Sequence, residues 1–274
     1  MTLDALCHLS TPSTSFEVIV TDDGAVPPLE DRLRPYRSKI ALRVLRLERQ
    51  GPGAARNAAA RLATAPLLVF LDDDCVPDPD WLQAYLNATF KAPDCILAGP
   101  ILNGLPDDLC SEACHRIFGY LYSRHLIEPG SHAPFVISAN FAVPARAFRA
   151  TGGFDEAFRT AAEDRMFSEE WSRSGRSFHA VPAATVRHHR PLTLASFLSQ
   201  QFRYGRGGMI FRRAVQRRGW TLKPVESSSF YSGLLGSAFR DTNPAQGLLL
   251  FVLLVLSQLA ITAGYVAEHR SATQ

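Results

Sequence analysis

Three consecutive carboxylates, Asp72-Asp73-Asp74, follow directly on five apolar residues, Leu67-Leu68-Val69-Phe70-Leu71. Like charges this close repel one another, so a cation is expected among them. A divalent metal carrying a phosphate-bearing substrate meets that need, because hard cations take carboxylate oxygens as ligands. Such a metal, Mn2+ or Mg2+, would shield the charge growing on a departing diphosphate. Side chains of an extended segment alternate with period two, so Asp72 and Asp74 point the same way. They are the metal candidates, while Asp73 is left to the donor's ribose or to the fold. The plainer reading is an acidic turn in which Asp74 or Asp78 caps the next helix.

Other residues strengthen the chemical reading. Asp22-Asp23-Gly24 closes a second apolar run, Phe16–Val20, so two acidic strand ends could meet at one cleft. Arg56 lies between them in Pro52-Gly53-Ala54-Ala55-Arg56-Asn57, and either reaches a base or phosphate or is an exposed helix cation. Further on, Gly152-Gly153-Phe154-Asp155-Glu156 precedes Glu163-Asp164 at the start of a helix. The helix dipole keeps a carboxylate there ionised. That suits a general base taking a proton from a hydroxyl, with simple helix capping by Asp164 as the alternative.

The elements that must hold these groups follow from pattern and punctuation. The run 67–71 is apolar enough for a central strand buried on both faces. Its acids then stand at the carboxyl edge, where open α/β sheets bind ligands. Phe16–Val20 and Leu42–Leu47 read as strands, and Gly51-Pro52-Gly53 breaks the chain before an alanine-rich helix, Ala54–Thr64. Asp78 or Asp80 starts a helix reaching Phe90, and Cys95–Ala98 is a further strand. Strand, helix and strand at this spacing predict parallel βαβ units. Beyond them come a helix at Leu109–Leu126, a strand at Phe135–Val143 that contains Asn140, and a short helix at Pro144–Ala150. The helix from Glu163 sets Phe167 and Trp171 on one face, and extended pieces at Phe178–Val181 and Thr185–Arg187 lead to His188-His189.

With 274 residues and 46% hydrophobic content the chain can bury a full core. Lys+Arg of 29 against Asp+Glu of 26 argues against a polyanion partner. Basic residues nonetheless crowd the stretch from Arg203 to Lys223, and Gly247–Ala267 is uncharged and of membrane-spanning length. The arginines precede that segment, so lipid and not nucleic acid is the expected partner, with residues 1–246 on the cytoplasmic side of the inner membrane. Phe197–Phe211 reads as an amphipathic helix with Phe197, Phe202 and Phe211 inward, and Val225–Phe239 as an interfacial or re-entrant helix. Five cysteines in no framework spacing are expected to be reduced thiols, and Met1-Thr2-Leu3-Asp4 has no secretory-signal features. The expected division is a catalytic domain at 1–195, a helical region at 196–245, a transmembrane helix at 246–267 and a tail at 268–274.

In their order and spacing, Phe16–Gly24, Gly51–Ala58, the 67–81 block, Gly152–Glu156, Glu163–Trp171 and His188-His189 resemble the family 2 inverting glycosyltransferases of GT-A fold. The resemblance covers about residues 5–205 and implies an α/β fold with a mixed, mostly parallel sheet flanked by helices. It implies a nucleotide-sugar donor whose base meets Asp22 or Asp23, with Arg56, Asp72 and Asp73 on the rest of the nucleotide. Asp72 and Asp74 would hold the metal, joined by His188, with His189 as second choice. Asp164 becomes the catalytic base, and Asn140, Glu163 and Trp171 fall on the acceptor side, toward a glycan or lipid-linked acceptor. Gln200-Gln201-Phe202-Arg203-Tyr204 is similar to the Gln-x-x-Arg-Trp signature of processive synthases, with tyrosine for tryptophan. Family members begin with a further strand and helix before the counterpart of Phe16–Val20, and here that strand is expected upstream of Met1. A competing expectation is a non-catalytic, membrane-tethered remnant that binds or scaffolds.

Overall fold

The computed structural model describes residues 1–127, 135–221 and 226–271; Lys223, Val225 and the end of the expected tail lie outside the described residues. The chain divides into two compact units. The first comprises Met1–Leu102, His125–Arg159 and Glu163–His188; the second Asn103–Arg124, Thr160–Ala162 and His189–Gln274. The expected boundary at 195 is therefore drawn differently, because residues 103–124 fall in the second unit.

In the first unit, α1 (Thr2–Leu6) precedes β1 (Glu17–Asp22), α2 (Glu30–Leu33) and β2 (Ala41–Arg46). The strands β1 and β2 pair in parallel from Glu17↔Ala41 to Asp22↔Arg46, as a βαβ unit requires. Gly51 then takes φ +95°, and a Cβ there would meet the Arg159 carbonyl at 2.8 Å, so only glycine fits this turn. Pro52, pre-set for helical φ, starts α3 (Pro52–Leu62), whose small alanines bury closely.

Next come β3 (Leu67–Leu71), β4 (Cys75–Pro77), α4 (Trp81–Lys91), β5 (Ile96–Ala98) and β6 (Ile101–Asn103). After α5 (Leu109–Tyr122), which belongs to the second unit, the first resumes with β7 (Asn140–Pro144), α6 (Ala145–Ala150), α7 (Glu163–Arg173), β8 (Phe178–Ala180) and β9 (Val186–His188). One sheet runs β3-β7-β5-β8 and another β4-β9-β6. Here the expectation of a central, doubly buried strand at 67–71 is corrected. The strand β3 ends its sheet, pairs antiparallel with β7, and alternates between buried Leu68 and Phe70 and half-buried Leu67, Val69 and Leu71. An apolar run shows hydrophobicity but not which neighbour completes the ladder. The non-local strand β7 separates β3 from β5, so both are antiparallel to it while β5 and β8 pair in parallel.

An aromatic cluster closes this core. Phe70 stacks on Phe141 at 4.8 Å between centroids, and Phe154 lies 5.0 Å from Phe167. Phe167 in turn meets Trp171 at 5.9 Å.

The second unit is helical, with α5, α8 (Leu194–Arg217), α9 (Ser228–Gly236) and α10 (Pro244–Ser271). As the sequence predicts, α8 is amphipathic: Phe197 and Phe211 are buried, Phe202 is half-buried, and Arg203, Arg206 and Arg212 are exposed. Two glycines let α8 and α10 approach closely. A Cβ on Gly205 would overlap the Ile261 carbonyl, and one on Gly264 the Phe202 carbonyl. Arg206 and Arg213 reach Glu268 at 2.8 and 3.6 Å. By length and composition α10 is apolar enough to cross a membrane. It buries Gly247, Leu250, Leu254, Ser257 and Gly264 while exposing Leu248, Leu249, Val252 and Leu259.

Candidate active site

The site residues all belong to the first unit, and Arg56 organises them. It projects from α3, its guanidinium donating to Asp72 Oδ1 at 2.6 Å and to Glu163 Oε1 at 2.9 Å. Its planar fork can serve two carboxylates at once, which an ammonium could not do in the same geometry. Burial works against its charge, yet Asp72 and Glu163 raise it above the ordinary guanidinium range. One cation thus joins the end of β3 to the start of α7. Asn57, next on α3, fixes that helix: it donates to the Phe154 carbonyl at 2.8 Å and accepts from the Phe154 amide at 2.9 Å. Gly153 permits this clasp, because a Cβ there would meet Asn57 Oδ1 at 2.5 Å.

Asp164 follows Glu163 in the first turn of α7. Its oxygens accept from the Arg165 amide at 2.7 Å and the Ser138 amide at 3.4 Å. Burial, and then the neighbouring Glu163, push its carboxyl up to about 7, with Arg56 pulling the other way. A base whose pKa lies near neutrality is suited to accept a hydroxyl proton at physiological pH. Ala162 immediately before this turn takes φ +76°, a conformation that L-residues adopt at a cost of about 1–2 kcal/mol.

The third corner comes from a cross-strand pair. Cys75 on β4 stands opposite His188 on β9 in an antiparallel ladder. Asp74, one residue earlier, brings Oδ1 to 2.9 Å from His188 Nε2. The ligand atoms of Asp74, Cys75 and His188 lie within 4.8 Å of one another. Burial, and then Asp72 and Asp74, push the Cys75 thiol well above its usual range. Asp73 is exposed, and its carbonyl accepts from Thr2 Oγ1 at 2.6 Å.

Several predicted placements change. Asp72 and Asp74, expected on one metal, take different partners: Asp72 faces Arg56, and the potential ligand group contains Cys75 in its place. Asp22, a candidate for the base, is 2% exposed. It accepts from the Ala25 and Leu29 amides at 2.7 and 3.1 Å and from Arg46 at 2.6 Å. The Leu29 and Ala25 amides, ahead of Arg46, hold its carboxyl below the usual range. It therefore builds the loop after β1, and Asp23 is left as the base candidate of the two.

Asn140 and Trp171, expected on the acceptor side, are core residues. Asn140 is 2% exposed; its amide donates to the Pro100 and Ala184 carbonyls, and its oxygen accepts from Trp81 and Tyr85. Trp171 is fully buried with its indole N–H on the Ser177 carbonyl. Glu163, 6% exposed, pairs with Arg56 at 2.9 Å. His189, the second choice, falls in the second unit. Sequence reading passed over Asn57 and Cys75: the first carries no signal beyond its place beside Arg56, and the second needs the register of a distant strand.

Comparison with known proteins supplies the decisive observation: the family model described as "Glycosyl transferase family 2" matches residues 1–152, more than half of the chain. The chain belongs to that family. Validoxylamine A glucosyltransferase of Streptomyces hygroscopicus subsp. limoneus is 31% identical over 184 residues, covering 57% of this chain and 41% of the relative. Hyaluronan synthase of Pasteurella multocida is 26% identical over 209 residues, covering 64% of this chain and 22% of the relative. The chain thus spans less than half the length of these relatives. Among solved structures, the mannosyltransferase PcManGT from Pyrobaculum calidifontis in complex with GDP-Man and Mn2+ superposes with a TM-score of 0.66 at 15% identity. That superposition covers 98% of this chain and 82% of the other. As a member of glycosyl transferase family 2 the chain therefore has the GT-A fold, mixed α/β with helices on its sheets.

Proposed function

We propose that this chain transfers a sugar from a nucleotide-diphosphate sugar to an acceptor hydroxyl, with inversion at the anomeric carbon. The observation that carries the reading is the Arg56 bridge, which ties the acidic end of β3 to the acidic start of α7. Donor-side and acceptor-side chemistry need that proximity. Asp164 takes the proton of the attacking hydroxyl, its affinity for that proton raised by burial and Glu163. Arg56 holds Asp72 and Glu163 in place beside it. Asp23, which accepts from the Gln50 and Gly51 amides at 2.7 and 2.8 Å, is the base-side candidate, and Asp73 the ribose-side one.

A divalent cation fits the donor set at Asp74 and His188, an anionic oxygen 2.9 Å from an imidazole nitrogen. When bound, it supplies Lewis-acid neutralisation of the diphosphate leaving group. The similarity to a glucosyltransferase and a hyaluronan synthase supports sugar transfer as the class, and the PcManGT complex contains GDP-Man and Mn2+. Calorimetric titration of the full chain with UDP, GDP and dTDP, each with and without Mn2+, tests the reading. Metal-dependent affinity for one of them, followed by turnover of its sugar conjugate, is the expected result. No metal-dependent nucleotide affinity in any titration removes the proposal.

The same reading extends to a membrane site of action and a lipid-linked or envelope-glycan acceptor. Its support is the exposed apolar face of α10 together with the exposed arginines of α8, which suit anionic headgroups.

A further inference from the structure

We infer that Cys75 is a metal ligand, so that Asp74, Cys75 and His188 form a mixed oxygen–sulfur–nitrogen site selecting a borderline cation such as Zn2+ or Co2+ over Mg2+. The inference rests on the proposed cation site at Asp74 and His188 and adds to it a third ligand and a metal preference.

The argument begins with register. Residues directly opposite in an antiparallel ladder point to the same face, with Cβ atoms about 4.5–5.5 Å apart. Cys75 and His188 are such a pair. The turn leading into β4 places Asp74 against the same imidazole, 2.9 Å away. Metal ligands about 2.0–2.3 Å from a common tetrahedral centre are roughly 3.3–3.8 Å from each other. The three ligand atoms here, all within 4.8 Å, need only a small closure to meet that geometry. Cys75 by itself would be a small packing residue. Two potential ligands converging on its sulfur distinguish it from one.

The donor types then choose the metal. Magnesium demands oxygen ligands in near-octahedral order and gains nothing from sulfur or imidazole. Thiolate and imidazole favour zinc and cobalt. Coordination forms an Sγ–metal bond and releases the thiol proton to solvent. Cys75 is fully buried and His188 is 5% exposed, which shelters the sulfur, whereas the Asp74 side chain, 29% exposed, keeps the site reachable from solution.

Cobalt titration of the full, metal-free chain tests the assignment. The expected result is a thiolate-to-cobalt charge-transfer band that Zn2+ displaces. Cys75→Ser and Cys75→Ala should each lose the band and bind Zn2+ about 10–100-fold more weakly. Mn2+ affinity and the melting temperature should change little in at least one of the two. Asp74→Asn should weaken Mn2+ and Zn2+ together. Cobalt bound without the band, or unaltered Zn2+ affinity in a folded Cys75 variant, overturns the cysteine assignment while Asp74-dependent Mn2+ binding preserves the underlying reading. Binding of neither Mn2+ nor Zn2+ by the unmodified chain overturns both.

Discussion

Two strands of the first unit end in acidic turns, and the turns do opposite things. At the end of β1 the oxygens of Asp22 and Asp23 accept mainly from backbone amides, those of Ala25, Leu29, Gln50 and Gly51, and Asp22 also accepts from the Arg46 guanidinium. At the end of β3, Asp72 and Asp74 face side chains instead: a guanidinium and an imidazole. Identical residue types at equivalent positions thus build a loop in one place and a charged site in the other. What separates them is the donor each oxygen already holds. Four backbone amides fix the first turn, whereas at the second a guanidinium from α3 and an imidazole from β9 meet the carboxylates.

The largest expected effect breaks the comparison on the site side. Asp164→Asn should lower transfer by roughly 10²–10⁴-fold with donor affinity nearly unchanged. In the unmodified protein, transfer should rise with pH as Asp164 ionises near 7. Its folded-state value stands above the unfolded value of 3.8, so the stability it contributes is present at low pH and lost as pH rises through about 7. The asparagine variant should therefore melt higher than the parent at pH 8, and an equal or lower melting point there contradicts the shift.

Arg56→Met comes next. It strands two carboxylates in a part-buried site and should cost about 3 kcal/mol in a denaturant titration. An unchanged midpoint would mean that the bridge is not what joins the elements.

The two turns can then be set against each other directly. Asp74→Asn should reduce Mn2+ affinity by roughly 10–100-fold at nearly constant melting temperature, because it loses a ligand and not a turn. Asp22→Asn should do the reverse, lowering the melting temperature with metal affinity unmoved. Parallel behaviour of the pair would erase the distinction. Smallest is Gly51→Ala, expected to cost about 1–3 kcal/mol through its positive φ and the Arg159 carbonyl. It should disturb the Asp23 turn while sparing metal binding.

Much of the scaffold was legible from local pattern. Gly51-Pro52-Gly53 announced α3, and the alternation in Leu42–Leu47 matched β2. The start of α7 at Glu163 coincided with its paired carboxylates. Illegible parts depend on contacts between residues remote in sequence. Nothing in Leu67–Leu71 says that Asn140–Pro144 will lie beside it in the opposite direction. Nothing in Trp171 separates an acceptor platform from a core residue, because both uses need an aromatic on the same helix face. Asp22 looked as available as Asp72 until the amides of its own loop were located. The site was readable as a set of residue types and not as a wiring diagram.

The contact of α8 with α10 sets a depth gauge. Where Gly205 and Gly264 let backbones touch, the ion-paired collar of Arg206, Arg213 and Glu268 grips the last turns of α10. Before that collar, Pro244–Ala267 carries no charged residue, about 36 Å of helix against a hydrocarbon slab of about 30 Å. On the membrane reading proposed above, the collar should consequently sit at the headgroups, with the uncharged stretch inside the slab. Lipid-quencher mapping of single tryptophans along its exposed face would read that depth, and a probe at Val266 quenched from the bilayer centre would contradict it.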